Sequence, residues 1–168
     1  MERTIKVKGQ GKMAVKPDII QLIFRVSDTK KTYEEVMEEA NSLTKTLKDV
    51  LEKLGFQRDD LKTTEFNIQT QYENYQDIKH TWKQKFVGYE FKHGLKIEFD
   101  ADNELLGKVL YGITHSNVNP QIQLHFTVKD KDAVKNILLE QAVKDSAQKA
   151  KLLADASNVV LGNIISID

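Results

Sequence analysis

The chain has 168 residues, with 25 Lys and Arg set against 25 Asp and Glu, no cysteine and 2 prolines. Apolar residues make up 40%, enough to fill a core at this length, which excludes a disordered tail. The lack of cysteine excludes a disulfide scaffold and every thiol nucleophile, and the charge balance excludes a binder held by bulk attraction to nucleic acid. Met1, Glu2 and Arg3 lead straight into Ile5 and Val7 with no apolar leader. No stretch approaches the ~20 apolar residues of a spanning helix. The expected protein is soluble and makes no membrane contact. As given it reads as cytoplasmic, or as periplasmic or secreted if a signal peptide was removed.

The N-terminus reads as strand. Ile5 and Val7 alternate with lysines, Gly9-Gln10-Gly11 interrupts as a bulge, and Met13 and Val15 resume. Lys16-Pro17-Asp18 signals a turn. Ile20, Leu22, Phe24 and Val26 then keep period two, the pattern of a half-buried strand. Thr32 and Glu35 have capping-box spacing ahead of the stripe Val36, Ala40, Leu43, Leu47, Val50 and Leu54, and Gly55 can end that helix in the left-handed region. Thr64 to Tyr72 and Val87 to Phe99 alternate strictly and predict a long antiparallel hairpin with an extended tip.

Asp102 is a candidate N-cap for a helix burying Leu105, Leu106, Val109, Leu110 and Ile113. Ile122, Leu124, Phe126 and Val128 predict another strand. Asp130 caps a third helix that runs to about Ser157, with a stripe of small residues (Ala142, Ser146, Ala150, Ala154) and Asn158 as its left-handed cap. Ile164, Ile165 and Ile167 predict a last strand. The order is ββαββαβαβ. The fold class is α+β, a mainly antiparallel sheet with helices largely on one face and a ferredoxin-like core pattern with extensions. A single domain over 1–168 is expected, with room for two sublobes sharing the long hairpin.

Catalytic patterns are absent from the spacing. Gly9-Gln10-Gly11 lacks the third glycine and the following helix of a phosphate loop. Asp100, Asp102 and Glu104 begin like a calcium loop, but Leu105 and Tyr111 stand where glycine and glutamate are needed. His80, His93, His115 and His125 share no metal-ligand spacing, and His93 reads as a satisfied core or interface residue between Phe91 and Leu95. No catalytic, cofactor or metal residue is assigned. The distal hairpin from Tyr72 to Tyr89 mixes aromatic and basic residues, so it is the candidate contact surface, with Tyr72, Tyr75, Trp82 and Phe86 as the self-association residues.

In order, Gly9-x-Gly11, Lys16-Pro17-Asp18, Ala40-Asn41, Leu54-Gly55, Asp60-Leu61-Lys62-Thr63 and Gly88-Tyr89 resemble the SIMPL-domain family. So do Ala142-Val143-x-Asp145-x-Ala147-x-Lys149-Ala150, Leu153-Ala154 and Leu161-Gly162. The chain departs at Asn158, where the family usually has glycine, and at Thr114-His115-Ser116. It stops at Asp168, short of the family's further C-terminal strand. The resemblance implies an α+β scaffold of undefined role, with some members linked to stress defence and self-assembly and no catalytic residue to carry over.

The function expected from these readings is a non-catalytic, self-assembling scaffold or interaction module, working as a homo-oligomer without cofactor. A small-ligand or single-stranded nucleic-acid binder using the same hairpin is the alternative, nucleic acid being the less favoured ligand. A hydrolase built on carboxylates is the third reading.

Overall fold

The computed structural model describes residues 4–167. The chain divides into two compact units, Pro17–Thr127 and, together, Met1–Lys16 with Val128–Asp168. The hairpin lies wholly within the first of these.

Unit Pro17–Thr127 is a four-stranded antiparallel sheet with two helices. Its elements are β1 (Ile19–Lys30), α1 (Tyr33–Lys53), β2 (Lys62–Gln76), β3 (Trp82–Asp100), α2 (Asn103–Thr114) and β4 (Gln121–Thr127). The strand order is β2-β3-β1-β4, the split βαβ arrangement that the element pattern predicts. Ile20, Leu22, Phe24 and Val26 of β1 share a face with Phe91, Leu95, Ile97 and Phe99 of β3. Helix α1 covers that face with Val36, Ala40, Leu47 and Leu51, and Val109 and Ile113 of α2 join the same core. Leu51 lies outside the predicted stripe. A helix lying on a sheet buries a broader arc than a narrow seam does.

Local chemistry sets the helix ends. The Thr32 hydroxyl accepts from Glu35 N at 3.2 Å, while Glu35 Oε2 accepts from Thr32 N at 3.1 Å, so two free donors are satisfied reciprocally. At the other end Phe56 N donates to Leu51 O and Gly55 N to Glu52 O, with Gly55 at φ +96°. The Asp102 carboxylate accepts from Glu104 N and Leu105 N and so caps α2.

The second unit is built on α3 (Lys131–Ala156), a 26-residue helix capped by Asp130, which accepts from Ala133 N at 2.8 Å. Asn158, at φ +53°, ends it as predicted, with Val159 N donating to Ala154 O and Asn158 N to Asp155 O.

Two sequence expectations are corrected in this unit. Residues 4–16 form no strand. Residues 8–12 run antiparallel along α3 as a strap. Gln10 N donates to Asp145 Oδ2 at 2.7 Å, Lys12 N donates to Gln141 Oε1 at 3.2 Å, and Lys149 Nζ donates to Lys8 O at 3.1 Å. Those donors serve the helix and not a neighbouring strand. Gly9 and Gly11 are therefore contact residues and no bulge forms. A Cβ on Gly9 would lie 1.8 Å from Ala142 O, and one on Gly11 would lie 2.1 Å from Leu138 O. The last strand is likewise not formed: Ile164, Ile165 and Ile167 are exposed, and residues 160–167 are in no ladder. A strand requires a neighbour to share its backbone bonds, and these exposed residues leave theirs to water.

Candidate functional site

The distal hairpin is built by reach. β1 pairs with β3 only as far as Lys30 opposite Tyr89. Beyond that point β2 and β3 continue as a two-stranded ribbon to Gln76 opposite Trp82. The tip is a turn closed by Asp77 N donating to Thr81 O and His80 N donating to Asp77 O. The Asp77 carboxylate accepts from Lys79 N, Thr81 N and, at 2.8 Å, Lys83 Nζ. The Lys83 bond first, then the Thr81 N–H, hold its pKa below the ordinary carboxylate value.

A bulge decides which residues face which way. Gln71 pairs with Gly88, but Tyr72 pairs with Phe86, so Val87 is the extra residue. The strict alternation predicted through Val87 is broken there, and Phe86 comes round to the face of Tyr89. Tyr33, Tyr89, Phe86 and Tyr72 then form a chain of edge-to-face rings with centroids 5.9, 5.3 and 5.7 Å apart. Asn74 with Gln84 and Gln76 with Trp82 pair on this same face, two and four residues beyond the Tyr72–Phe86 pair. The face therefore carries Thr70, Tyr72, Asn74 and Gln76 from β2, and Trp82, Gln84, Phe86 and Tyr89 from β3. None of these bears a formal charge. Glu73, Tyr75, Lys83 and Lys85 occupy the opposite face, with Glu73 across from Lys85 and Tyr75 across from Lys83.

Of the four predicted self-association residues, the fold brings Tyr72, Trp82 and Phe86 to one surface and puts Tyr75 on the other. Strict alternation along β2 separates Tyr75 from Tyr72, three residues away. Exposure is high, at 53% for Tyr72, 43% for Phe86 and 69% for Trp82.

A second cluster lies at the hairpin's root. His93 is 8% exposed. The Thr44 hydroxyl of α1 donates to Ala40 O at 2.7 Å, which leaves its oxygen to accept from His93 Nδ1–H at 3.1 Å. The other ring nitrogen, Nε2, accepts from the Thr63 hydroxyl of β2 at 3.0 Å. Phe66 meets the ring edge-on, with centroids 5.0 Å apart. Burial first, and then the Lys48 ammonium, lower the pKa of His93 below its ordinary 6.5. Thr64 is the extra residue of a second bulge, between Thr63 opposite Leu95 and Glu65 opposite Gly94. That bulge lets Thr63 and Phe66, an odd number of positions apart, both reach one ring. Sequence reasoning identified the buried histidine but not its two threonine partners, which come from distant segments.

No group of three or more His, Asp or Glu side chains able to hold a metal occurs among the described residues. A shallow hollow of about 480 Å³ between α1 and α2 is lined by Thr46, Asp49, Val50, Lys53, Leu54, Gly112, His115 and Ser116. Asp49 on its wall is engaged by Arg58 at 2.9 Å.

The sequence pattern of SIMPL, described as a protein of unknown function (DUF541), matches residues 5–168. The chain belongs to the SIMPL family. Its SIMPL relatives include the 26 kDa periplasmic immunogenic protein of Brucella melitensis, 33% identical over 164 residues, and that of Brucella abortus, 32% identical over 164 residues. Each alignment covers 97% of this chain and 65% of the relative, so the chain spans about two thirds of their length. Among solved structures, B. subtilis GlnK is 11% identical with a TM-score of 0.33, covering 65% of this chain and 84% of that one. CutA from Synechococcus elongatus is 11% identical with a TM-score of 0.27, covering 76% and 92%. Among the described residues no helix is long and apolar enough to cross a membrane.

Proposed function

We propose that this SIMPL chain is a non-catalytic, self-associating scaffold or interaction module, and that the uncharged aromatic face of the distal ribbon is its contact surface. The observation that carries the reading is the segregation of charge across the ribbon. Two copies can bring Tyr72, Trp82 and Phe86 together without like-charge repulsion, because Lys83 and Lys85 lie on the other side. The outer edge of β2, the end strand of the sheet, offers further backbone donors and acceptors to the same contact.

Magnitude limits the affinity. Six residues of ribbon at ~3.4 Å each give a face about 20 Å long. Two strands wide, it offers roughly 200 Å², well short of the ~800 Å² per partner of a stable interface. The ribbon face alone therefore supports a weak contact, and a tight assembly also recruits the β2 edge.

The non-catalytic part of the proposal is supported by how the polar groups are used. His93, the buried polar side chain of the core, has both ring nitrogens occupied by hydroxyls. The nucleic-acid alternative is disfavoured by pairing: Lys83 is committed to Asp77, and Lys85 faces Glu73. The relatives are named as periplasmic, and we extend that location to this chain. A role in stress defence is carried by the family resemblance alone.

Light scattering after size exclusion tests the contact. At about 100 μM, a concentration suited to a weak interface, the protein is expected to show a mass above the monomer's. Tyr72→Ala combined with Trp82→Ala returns it to monomer, while Tyr75→Ala on the opposite face leaves it associated. A monomer throughout, or equal sensitivity to Tyr75→Ala, would show that the assigned face is wrong.

A further inference from the structure

The ring of His93 joins three elements: β2 and β3, which are also paired along their ladder, and α1, which it reaches through Thr44. The ring sits on β3. Its Nδ1–H reaches Thr44 on α1, and its Nε2 is held by Thr63 at the start of the edge strand β2. β2 has a sheet partner on one side only, and its ladder is interrupted by the Thr64 bulge next to the ring. The bonds through His93 thus clamp the place where the hairpin enters the sheet.

We propose that His93 is an acid-sensitive latch, fastening the root of β2 to α1 while its ring is neutral and loosening it when the ring takes up a proton.

The surroundings favour the neutral ring from every side. On α1 the charge that acts on it is the Lys48 ammonium, one turn beyond Thr44. On β1 its neighbour is Val26, and on β3 its same-face neighbours are Phe91 and Leu95. On β2 it meets Thr63 and Phe66. Arg25, Glu65 and Lys92 are adjacent in register, but strand alternation directs them to the other face of the sheet. No carboxylate is among the bonded partners, so a protonated ring would sit as a buried cation facing a second cation.

The direction follows from linkage. The ring's pKa in the closed structure is depressed, so the opened root binds more protons than the closed one. Closure is fully favoured above the ordinary value of 6.5 and weakens as the pH falls from there towards the depressed value. The opening constant grows by up to about tenfold per pH unit within that window and levels off below it. The inference does not depend on the ribbon's role in association, and its test reads the folded chain itself.

The experiment is a titration of the full chain by nuclear magnetic resonance, following the ring nitrogens of His93 together with backbone amide exchange. The expected result is a neutral Nδ1–H ring at pH 7 that titrates below 6.5. Exchange at residues 62–66, corrected for intrinsic rate, then accelerates across that titration, while amides of Ile20 to Phe24 do not follow. Lys48→Glu raises the ring's pKa, because an anion replaces a cation. The raised value narrows the gap to the opened state, so the acid loosening shrinks, about tenfold for each unit the ring has risen. Three outcomes each overturn the latch: a ring that titrates at or above 6.5, acceleration shared equally by β1 and the β2 root, or a loosening unchanged when Lys48→Glu has raised the ring. If that variant does not fold, the two wild-type readouts still decide.

Discussion

Gly88 sits where the ribbon leaves the sheet, and its missing side chain is what allows the departure. Its φ is +153°, and a Cβ there would lie 2.1 Å from the carbonyl oxygen of Lys30, at the end of β1. Neither the backbone of a strand end nor the adjoining bulge can yield that much. Gly88→Ala is therefore expected to destabilise the protein by about 2–3 kcal/mol, combining backbone strain with a steric clash. Gly107 gives the opposite sign. It lies inside α2 with nothing within 4 Å of the added carbon, so Gly107→Ala should stabilise by roughly 0.5–1 kcal/mol through helix propensity. Urea unfolding of the two variants beside the parent checks both. A Gly88→Ala midpoint equal to the parent's would mean that the Lys30 carbonyl moves freely aside.

At the scale of elements, the best-specified pieces are those whose instructions are local. Thr32 and Glu35 make both bonds of their capping box, so Thr32→Ala should cost about 1 kcal/mol in thermal or chemical unfolding. A loss no larger than that of a neutral surface substitution would mean that the tertiary contacts of α1 hold its first turn unaided. The caps at Asp102, Asp130 and Asn158 were legible for the same reason: each is read within four residues of itself. Alternation in β1 and β3 was legible because one face is buried against helices. The bulges at Thr64 and Val87 were not, since an extra residue is defined only against the partner strand. That gap bears directly on the candidate surface. The Val87 bulge is what brings Phe86 to the face of Tyr72 and Tyr89, whereas Tyr75 lies on the opposite face by plain alternation, three residues from Tyr72. The segment before Pro17 misled for a related reason. Its alternation is that of an extended chain, and an extended chain can lie against a helix as readily as beside a strand.

At the scale of the molecule, the two units divide the labour of holding the chain. The sheet unit draws its stability from one apolar core, whereas the other unit relies on hydrogen bonds between the strap and α3. Gly11→Ala is expected to act on the strap. Its methyl would force the strap off Leu138 O, and hydrogen exchange should rise at residues 8–12 while β1 and β3 keep the parent's protection. Exchange that rises in β1 to the same extent would show that the effect is not confined to the strap. The strap also has a built-in limit of length. Lys8, Gln10 and Lys12 meet Lys149, Asp145 and Gln141, so two residues of extended chain are matched to four of helix. The first advances ~6.7 Å and the second 6.0 Å, with the helical posts turning about 40° at each step. The mismatch is small for one step and accumulates with every further one. The pairing behaves like a vernier, with marks that coincide over a short interval and then drift apart. A longer strap would gain no further posts, so the fastening is confined to the middle of α3 by the arithmetic of the two repeats.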